Sequence, residues 1–275
     1  MPSDRSPLTV FAIPRAFERH IGIAQCNAIQ SWLALEPRPH VILLGNDKGT
    51  AEVAARYGCT HIPDVECNEF GTPLLNSIFA KAHQEAAGGL MLFVNADIIL
   101  ASELSQAISA CPDAPFLMTG KRTHLTVRDE LDFTRDGEDV IKRRVARNGR
   151  RGGPTAMDYF VFPHGLFGEV PRFAIGRGWW DHWLAAEALR RGAMLIDASK
   201  TVLAVHQDHG FLATEESVRN LALFGQSTES VSFALATHQI AGGRLTERNS
   251  YAFGPRALLA GAFRRAARLI EPAAR

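Results

Sequence analysis

The chain of 275 residues is 46% hydrophobic and 21% charged, which is typical of a globular protein and excludes a fibrous or wholly disordered one. Its formal net charge is +1, whereas a dedicated nucleic-acid-binding protein would usually carry a larger basic excess. There is no apolar run near the roughly 20 residues that cross a bilayer, and no signal-peptide core, so we expect a soluble cytoplasmic protein, at most peripheral to the inner membrane face. The cysteines lack paired spacing and fit reduced thiols: Cys26, Cys59, Cys67 and Cys111.

Strand and helix patterns alternate through the first hundred residues. Unbroken apolar runs predict strands, and apolar residues three and four apart predict helices between them. The predicted strands are 8–13, 40–44, 59–62 and 90–94, and the predicted helices are 20–35, 50–57 and 73–87. Strands that are apolar throughout and separated by helices indicate a parallel sheet covered on both faces.

The second half of the chain is less regular. We interpret the polar and basic stretch 120–155 as a mobile loop or lid. Six basic residues and no acidic one lie between 142 and 151, and this run either clamps phosphates or an acidic acceptor, or is simply solvated. Residues 255–275 are basic and amphipathic, so they lie on an anionic membrane surface, pack on the protein or form a homodimer contact. Strands are predicted at 158–162, 194–196 and 201–205, and helices at 180–191 and 214–224.

Polar side chains follow the predicted strands at 14–17, 45–50 and 95–98. Ligands bind at the carboxyl ends of strands in a parallel sheet, so these loops are candidate binding segments. Asp97 offers the hard oxygen ligands that Mg²⁺ or Mn²⁺ prefers when it bridges a diphosphate, or it caps a following helix. Asp47 either accepts hydrogen bonds from a nucleobase or ribose, or forms an Asx turn.

The segment FAIGRGWWDHW places three tryptophans around Asp181 and His182. Indole rings desolvate a neighbouring carboxylate and also bind sugar faces, so Asp181 is a candidate general base. The alternative is an aromatic core helix capped by Asp181. His206 and His209 follow another predicted strand; residues three apart on an extended segment point to opposite sides, so we expect at most one to ligate a metal, and a structural role is the alternative.

The order of these segments resembles that of GT-A glycosyltransferases in the broad family 2-like group, including bacterial ones; the segments are AIPRAF, GNDKGT, PLLNSIFAKA, NADI, WWDHW and VHQDH. The resemblance covers roughly residues 8–212. It implies an α/β fold with a Rossmann-type, mostly parallel sheet flanked by helices. The implied single domain spans 1–212, with a nucleotide-binding half at 8–100 and an acceptor half at 101–212, followed by a C-terminal helical extension at 213–275.

The resemblance also implies a site and a reaction. Asp181 would take the proton from an acceptor hydroxyl in an inverting transfer. Mn²⁺ or Mg²⁺ would be held by Asp97 with His206 or His209. A nucleotide-diphosphate sugar, UDP-linked by preference, would contact Pro14, Arg15, Asn46, Asp47, Asn76, Asn95, Ala96 and Asp97. A glycan or lipid-linked acceptor would contact Asp158, Trp180 and His182, and the product would serve surface polysaccharide or glycoconjugate synthesis.

Two positions depart from the family pattern. Asn95 stands where the DxD motif has its first acid, which leaves Asp97 as the principal carboxylate for the metal. Trp180 replaces the Glu before the catalytic Asp, which leaves one carboxylate for the base. Two other functions stay open. A sugar nucleotidyltransferase would need a Gly- and Arg-rich phosphate loop, and IPRAFERH has no glycine; a non-catalytic module would bind nucleotide sugars or carbohydrates without turnover.

Overall fold

The apolar runs of the first half form one side of a large sheet. A computed structural model describes residues 7–153, 155–208, 215–225 and 236–248. Four strands pair in parallel in the order β4-β1-β2-β3. They are β1 (Leu8–Ala12), β2 (His40–Leu44), β3 (Thr60–Ile62) and β4 (Leu90–Val94). The predicted parallel arrangement is therefore confirmed.

Helices cover both faces of these strands because successive strand residues point to opposite sides. In β1, Phe11 packs on one face against Phe79, and Val10 belongs to the core of the other face with Trp32. The helices that supply these contacts are α1 (Arg19–Leu33), α2 (Thr50–Tyr57) and α3 (Leu75–Glu85). All are close to their predicted bounds.

The second half of the chain extends the same sheet to nine strands, in the order β13-β12-β10-β6-β9-β4-β1-β2-β3. Strand β9 runs antiparallel to its neighbours β4 and β6, and most other pairs are parallel. The added strands are β6 (Phe116–Thr119), β9 (Tyr159–Pro163), β10 (Met194–Asp197), β12 (His238–Ala241) and β13 (Arg244–Glu247). The flanking helices are α4 (Glu103–Ser109), α6 (Trp180–Arg190) and α7 (Glu215–Gly225).

The predicted helical extension over 213–275 is helical only in part. Helix α7 is present, but the hairpin β12–β13 pairs with β10 and adds two strands to the main sheet. Gly242 and Gly243 form its turn with φ values of 54° and 70°, a conformation that favours glycine, and Ile240 is fully buried. The Gly-Gly pair was the signal for this hairpin. Residues 255–275 lie outside the described residues.

A second, four-stranded sheet packs at the carboxyl end of β4, in the order β5-β11-β7-β8. Its strands are β5 (Ile98–Leu100), β7 (Arg122–Leu125), β8 (Arg150–Arg151) and β11 (Ala204–Gln207). Strand β5 follows Asp97 directly and pairs antiparallel with β11. The alternative that Asp97 caps a following helix is therefore wrong, because the chain continues as a strand.

The stretch 120–155, predicted as a mobile loop or lid, instead contains β7, helix α5 (Gly137–Asn148) and β8, and α5 holds most of the basic run. Ile141 is fully buried against Leu125 and Val205 of the small sheet. Lys142 forms ion pairs of 2.6 Å with both Glu103 and Glu138. The apolar face of α5 is narrow, so charged residues outnumber apolar ones and the spacing typical of a helix is hard to see in the sequence.

The helices and cysteines bear on two expectations drawn from composition. Within the described ranges, no helix is both long and apolar enough to cross a membrane. All four cysteines are free thiols, buried at Cys26 and Cys111 and exposed at Cys67. Burial raises the pKa of the half-buried Cys59 thiol to about 11, so this group stays protonated at neutral pH.

The burial of Ile141 predicts that α5 depends on it. We expect Ile141→Ala to lower the free energy of unfolding by roughly 2–4 kcal/mol, because it leaves a cavity under the helix. Urea denaturation followed by circular dichroism measures this. Arg143→Ala, at an exposed position of the same helix, should change it by less than about 0.5 kcal/mol. Equal effects of the two substitutions would contradict the packing of α5.

Candidate functional site

The loops after β1 and β2 meet at the carboxyl edge of the main sheet. The backbone N–H of Phe17 donates to the carbonyl of Lys48 over 2.8 Å. Gln25 of α1 fixes the first loop by accepting from the N–H of Arg15 (2.7 Å) and donating to its carbonyl (2.8 Å). Gly49 has φ 89°, and a Cβ there would lie 2.9 Å from Phe17, so the close approach requires glycine.

These two loops carry four of the predicted donor-binding residues. Pro14 is buried, whereas Arg15, Asn46 and Asp47 are exposed at this edge. The backbone contact between the loops brings the four residues to one surface. The exposed side chains there are available to a ligand that spans both loops.

Asp158 fixes the turn that follows β4. Its Oδ1 accepts from Nδ2 of Asn95 (2.9 Å), and its Oδ2 accepts from Nη1 of Arg122 (2.6 Å). Burial raises the pKa of Asp158, and the Arg122 guanidinium opposes that shift. Asp158 is only 5% exposed and both carboxylate oxygens are engaged. Asp158 orients Asn95 and Arg122, and its contact with the acceptor stays a prediction.

Asp97 and His206, predicted as metal ligands from segments far apart in sequence, are in contact. Oδ2 of Asp97 lies 3.1 Å from Nε2 of His206. The contact exists because β5, which begins directly after Asp97, pairs with β11 so that Ile98 is opposite His206. His209, the other predicted imidazole, lies outside the described residues.

Four further side chains continue from this pair. Oδ1 of Asp208 lies 3.7 Å from Nδ1 of His206 and 3.1 Å from Nδ1 of His124. Arg150 donates through Nη2 to Oδ2 of Asp208 over 2.7 Å. Arg122 donates from Nε to Nε2 of His124 over 3.2 Å. Because Arg122 also contacts Asp158, which binds Asn95, these contacts form one connected series. We call this series the polar ring; its members are Asn95, Asp97, Arg122, His124, Asp158, His206 and Asp208.

A residue pattern in the sequence points to Arg122, His124 and Asp208, the ring members that we did not predict. Arg122 and His124 are two residues apart on β7, and His206 and Asp208 are two apart at the end of β11. Residues two apart on a strand point to the same face, and β7 and β11 are parallel neighbours with His124 opposite His206. Two short polar strands with matching period-two patterns therefore place four ionisable groups together.

The polar ring has a donor set that fits a divalent cation. Ligand atoms of His124, His206 and Asp208 all lie within 4.8 Å of one another, and Asp97 contacts His206. Burial by itself raises the pKa of Asp208, but hydrogen bonds from His124 and Arg150 outweigh it and hold the pKa below its usual range. Asp208 is therefore ionised at neutral pH. Two carboxylates with two imidazoles suit Mn²⁺ better than Mg²⁺, which prefers oxygen alone.

Buried amides lock the backbone of Asp97 in place. Gln207 donates from Nε2 to the carbonyls of Ala24 (2.7 Å) and Asp97 (3.1 Å). Asn27 of α1 donates to Oε1 of Gln207 over 3.1 Å and accepts from the N–H of Leu131 over 2.8 Å. Asn27 and Gln207 are 0% and 1% exposed, so this network is shielded from water. It fixes the turn on which the polar ring is built.

The tryptophans around Asp181 belong mainly to the core. The Trp180 ring lies 5.3 Å from that of Phe93 and 5.7 Å from that of Phe160, and Trp180 is 4% exposed. The ring is enclosed between two strands, which favours the interpretation as an aromatic core helix, and the contact of Trp180 with the acceptor stays a prediction. Trp183 packs equally deeply, and Trp179 lies 5.8 Å from the ring of His182.

Asp181 lies in the first turn of α6, half-buried, and accepts from the N–H of His182 over 3.0 Å. Because Trp180 packs on Phe93 near the end of β4, α6 begins close to the edge that carries the polar ring. In the part of the chain that the structure describes, no hydrogen bond or ion pair joins Asp181 to the ring. The two groups share an edge of the sheet without direct contact.

Two further predicted donor-binding residues are not members of the polar ring. Ala96, between Asn95 and Asp97, is 8% exposed and packs in the core, and its contact with the donor stays a prediction. Asn76, near the start of α3, hydrogen-bonds the Glu66 side chain and lines a cavity of about 600 Å³ with His83 and Arg172.

Comparison with known proteins defines the fold. Neither a protein-family model nor a curated protein sequence matches the chain. Among solved structures, S. aureus TarS 1–349 in complex with UDP-GlcNAc has a TM-score of 0.54 at 11% identity, covering 81% of this chain and 66% of that one. The mannosyltransferase PcManGT from Pyrobaculum calidifontis, in complex with GDP-Man and Mn²⁺, has a TM-score of 0.51 at 13% identity, covering 84% and 67%.

These similarities confirm the predicted fold, that of the GT-A glycosyltransferases. The chain spans about two thirds of the length of each of these structures. Since one fold supports many activities, function has to be argued from the site.

The lowered pKa of Asp208 predicts that the free energy of unfolding depends on pH. A carboxyl group with a lower pKa in the folded state stabilises the fold above about pH 4, its unfolded value, and loses that effect as the pH falls further. We expect Asp208→Asn to lower the free energy of unfolding by about 1 kcal/mol at pH 7, and by less below pH 4.

Urea denaturation at pH 7, 5 and 3.5 tests this. Asp113→Asn, at an exposed position, should stay within about 0.5 kcal/mol of wild type throughout. A penalty for Asp208→Asn that is the same at all three values would mean that the ionised form of Asp208 is not the one the fold stabilises.

Proposed function

We propose that this protein is a glycosyltransferase that moves a sugar from a nucleotide-diphosphate sugar to an acceptor hydroxyl. The observation that carries the proposal is the 3.1 Å contact between Asp97 and His206 at the carboxyl edge of a GT-A sheet. The complexes of TarS with UDP-GlcNAc and of PcManGT with GDP-Man and Mn²⁺ support it, since both proteins share this fold.

The donor would lie across the carboxyl edge. Its base and ribose would contact Pro14 and Arg15 of the first loop and Asn46 and Asp47 of the second, which the Phe17–Lys48 hydrogen bond joins. Its diphosphate would face the turn 95–97. A UDP-sugar is the donor we favour.

A divalent cation, Mn²⁺ or Mg²⁺, would be held by Asp97 and His206, with Asp208 and His124 as further ligands. Bound there, it would supply positive charge that stabilises the leaving diphosphate. Asp208 adds a carboxylate to a site in which Asn95 replaces the first acid of the family motif. Arg150, which contacts Asp208 over 2.7 Å, brings a further positive charge to the same place.

Asp181 would accept the proton of the acceptor hydroxyl as that oxygen attacks the anomeric carbon. Attack from the face opposite the diphosphate inverts the anomeric configuration, and a single carboxylate is enough for it. General-base assistance of this kind contributes about 10²–10⁴-fold. The half-buried position of Asp181 at the start of α6, beside the edge that holds the polar ring, supports this role.

The wider assignment follows from the same proposal. Residues 8–100 would bind the nucleotide and 101–212 the acceptor, a glycan or lipid-linked sugar of surface polysaccharide or glycoconjugate synthesis. Peripheral membrane contact or homodimer formation would use 255–275, outside the described residues. The alternatives are a non-catalytic nucleotide-sugar or carbohydrate-binding module and a sugar nucleotidyltransferase, and turnover of a nucleotide sugar to free nucleoside diphosphate separates them from a glycosyltransferase.

The role of Asp181 predicts a specific loss. Asp181→Asn should reduce transfer by about 10²–10⁴-fold while the Kd for the nucleoside diphosphate is unchanged, since only the base is removed. Release of nucleoside diphosphate and calorimetric titration measure the two quantities. Asp139→Asn, in the first turn of α5, is the matched control and should keep full activity. Near-normal turnover by Asp181→Asn would rule out this base.

The metal ligands predict metal-dependent nucleotide binding. Titration of UDP, GDP and dTDP into wild type should show tighter binding of at least one of them when Mn²⁺ is present. Asp97→Asn should lose that gain, and its Mn²⁺ affinity, read by electron paramagnetic resonance, should fall at least tenfold, about 1.4 kcal/mol. If Mn²⁺ changes nucleotide binding to neither protein, the ligand assignment fails.

A further inference from the structure

A second cavity opens beside the start of α6 and is not used by the donor or the polar ring. Its volume is about 460 Å³. One wall is the segment 67–69, which leaves the carboxyl end of β3 and leads to α3, and the other is α7. Ala174 lies between these walls. The cavity is of the size that binds small molecules in proteins.

Partly buried hydrogen bonds join the two walls of this cavity and brace them. Glu216 is 5% exposed and accepts from Nδ2 of Asn68 (2.8 Å) and from Nε of Arg177 (2.6 Å). Burial by itself raises the pKa of Glu216, but hydrogen bonds from Asn68, Thr72 and Arg177 outweigh it and lower the pKa, so the group is ionised at neutral pH. The shape of the cavity is therefore set before a ligand arrives.

The same walls are tied to the turn that carries Asp181. Asn220, 1% exposed, donates from Nδ2 to the carbonyls of Ala174 (2.8 Å) and Gly178 (2.9 Å). The next residue, Trp179, has φ 70° and stacks on Phe224 of α7 at 5.5 Å. A ligand in the cavity would therefore lie against the structure that positions Asp181.

An exposed aromatic ring lies next to the cavity, in contact with Arg219 of its lining. Phe70 is 51% exposed, and the guanidinium carbon of Arg219 lies 5.0 Å from its ring centroid. Arg219 also pairs with Glu69, and Arg172 pairs with Glu66 over 2.7 Å. An exposed ring beside guanidinium donors and carboxylate acceptors matches a sugar, which has an apolar ring face and hydroxyls at its edge.

We propose that this cavity binds the acceptor and that the acceptor is a neutral sugar. The charged side chains that line it are Glu69, Glu216, Arg172 and Arg219, two of each sign, so the lining has no net charge for a phosphate or a carboxylate to neutralise. This inference rests on the proposed glycosyl transfer. It adds that acceptor recognition involves Phe70 and α7, which lies beyond the predicted acceptor half at 101–212.

A binding experiment tests the cavity separately from turnover. Saturation-transfer NMR is recorded for the full chain with methyl glycosides of glucose, galactose, mannose and N-acetylglucosamine, and with glucose 6-phosphate as the anionic comparison. Wild type should give signals for at least one neutral glycoside. Phe70→Ala and Arg219→Ala should weaken that binding at least fivefold, and Phe70→Tyr should retain it.

Val218→Ala is the matched control, because Val218 is 45% exposed on the same helix and does not line the cavity. In turnover assays the Phe70→Ala variant should raise the acceptor KM at least fivefold, whereas Val218→Ala should leave the acceptor KM unchanged. Neutral glycosides that bind Phe70→Ala as well as wild type, a response to the sugar phosphate alone, or no response from any glycoside would each overturn the proposal. If the cavity binds sugars but the protein turns over no nucleotide sugar, the proposed glycosyl transfer is contradicted and sugar binding by the cavity is not.

Discussion

The contact between Asp97 and His206 is the constraint on which the site depends. It joins the turn after β4, in the main sheet, to β11 of the small sheet. Gln207, the neighbour of His206, holds the carbonyl of Asp97 from the buried side, so one strand fixes both the side chain and the backbone of the turn. The rest of the polar ring follows from that pairing, since β7 lies beside β11 and presents Arg122 and His124 to the same face.

Most of the main sheet could be predicted from the sequence because its strands are unbroken apolar runs with helices between them. The small sheet could not. Strands such as β5, β7 and β8 have two to four residues, and β7 and β8 are polar, so partners far along the chain define them. Helix α5 was hidden for a related reason, since a single fully buried residue, Ile141, anchors a segment that otherwise reads as charged.

The candidate site was predictable where a residue follows a strong strand signal, as Asp97 and His206 do. Tertiary burial is what the sequence did not predict at this site. Asp158 and Trp180 carry chemical groups that suit an acceptor, but the fold encloses the first behind Asn95 and Arg122 and the second between β4 and β9. Which face of an element is buried depends on its neighbours, and a local pattern does not contain them.

Asn220 makes the segment before Asp181 depend on the C-terminal part of the chain. The side-chain amide of Asn220 donates to two carbonyls that precede α6, and Asn220 belongs to α7, which begins after residue 212, the predicted end of the main domain. A chain that ended at residue 212, or that carried a different sequence after it, would keep every member of the polar ring. It would lose the two hydrogen bonds that Asn220 donates to the carbonyls of Ala174 and Gly178, ahead of Asp181. Any redesigned chain would therefore have to keep α7 together with the segment that leads to Asp181.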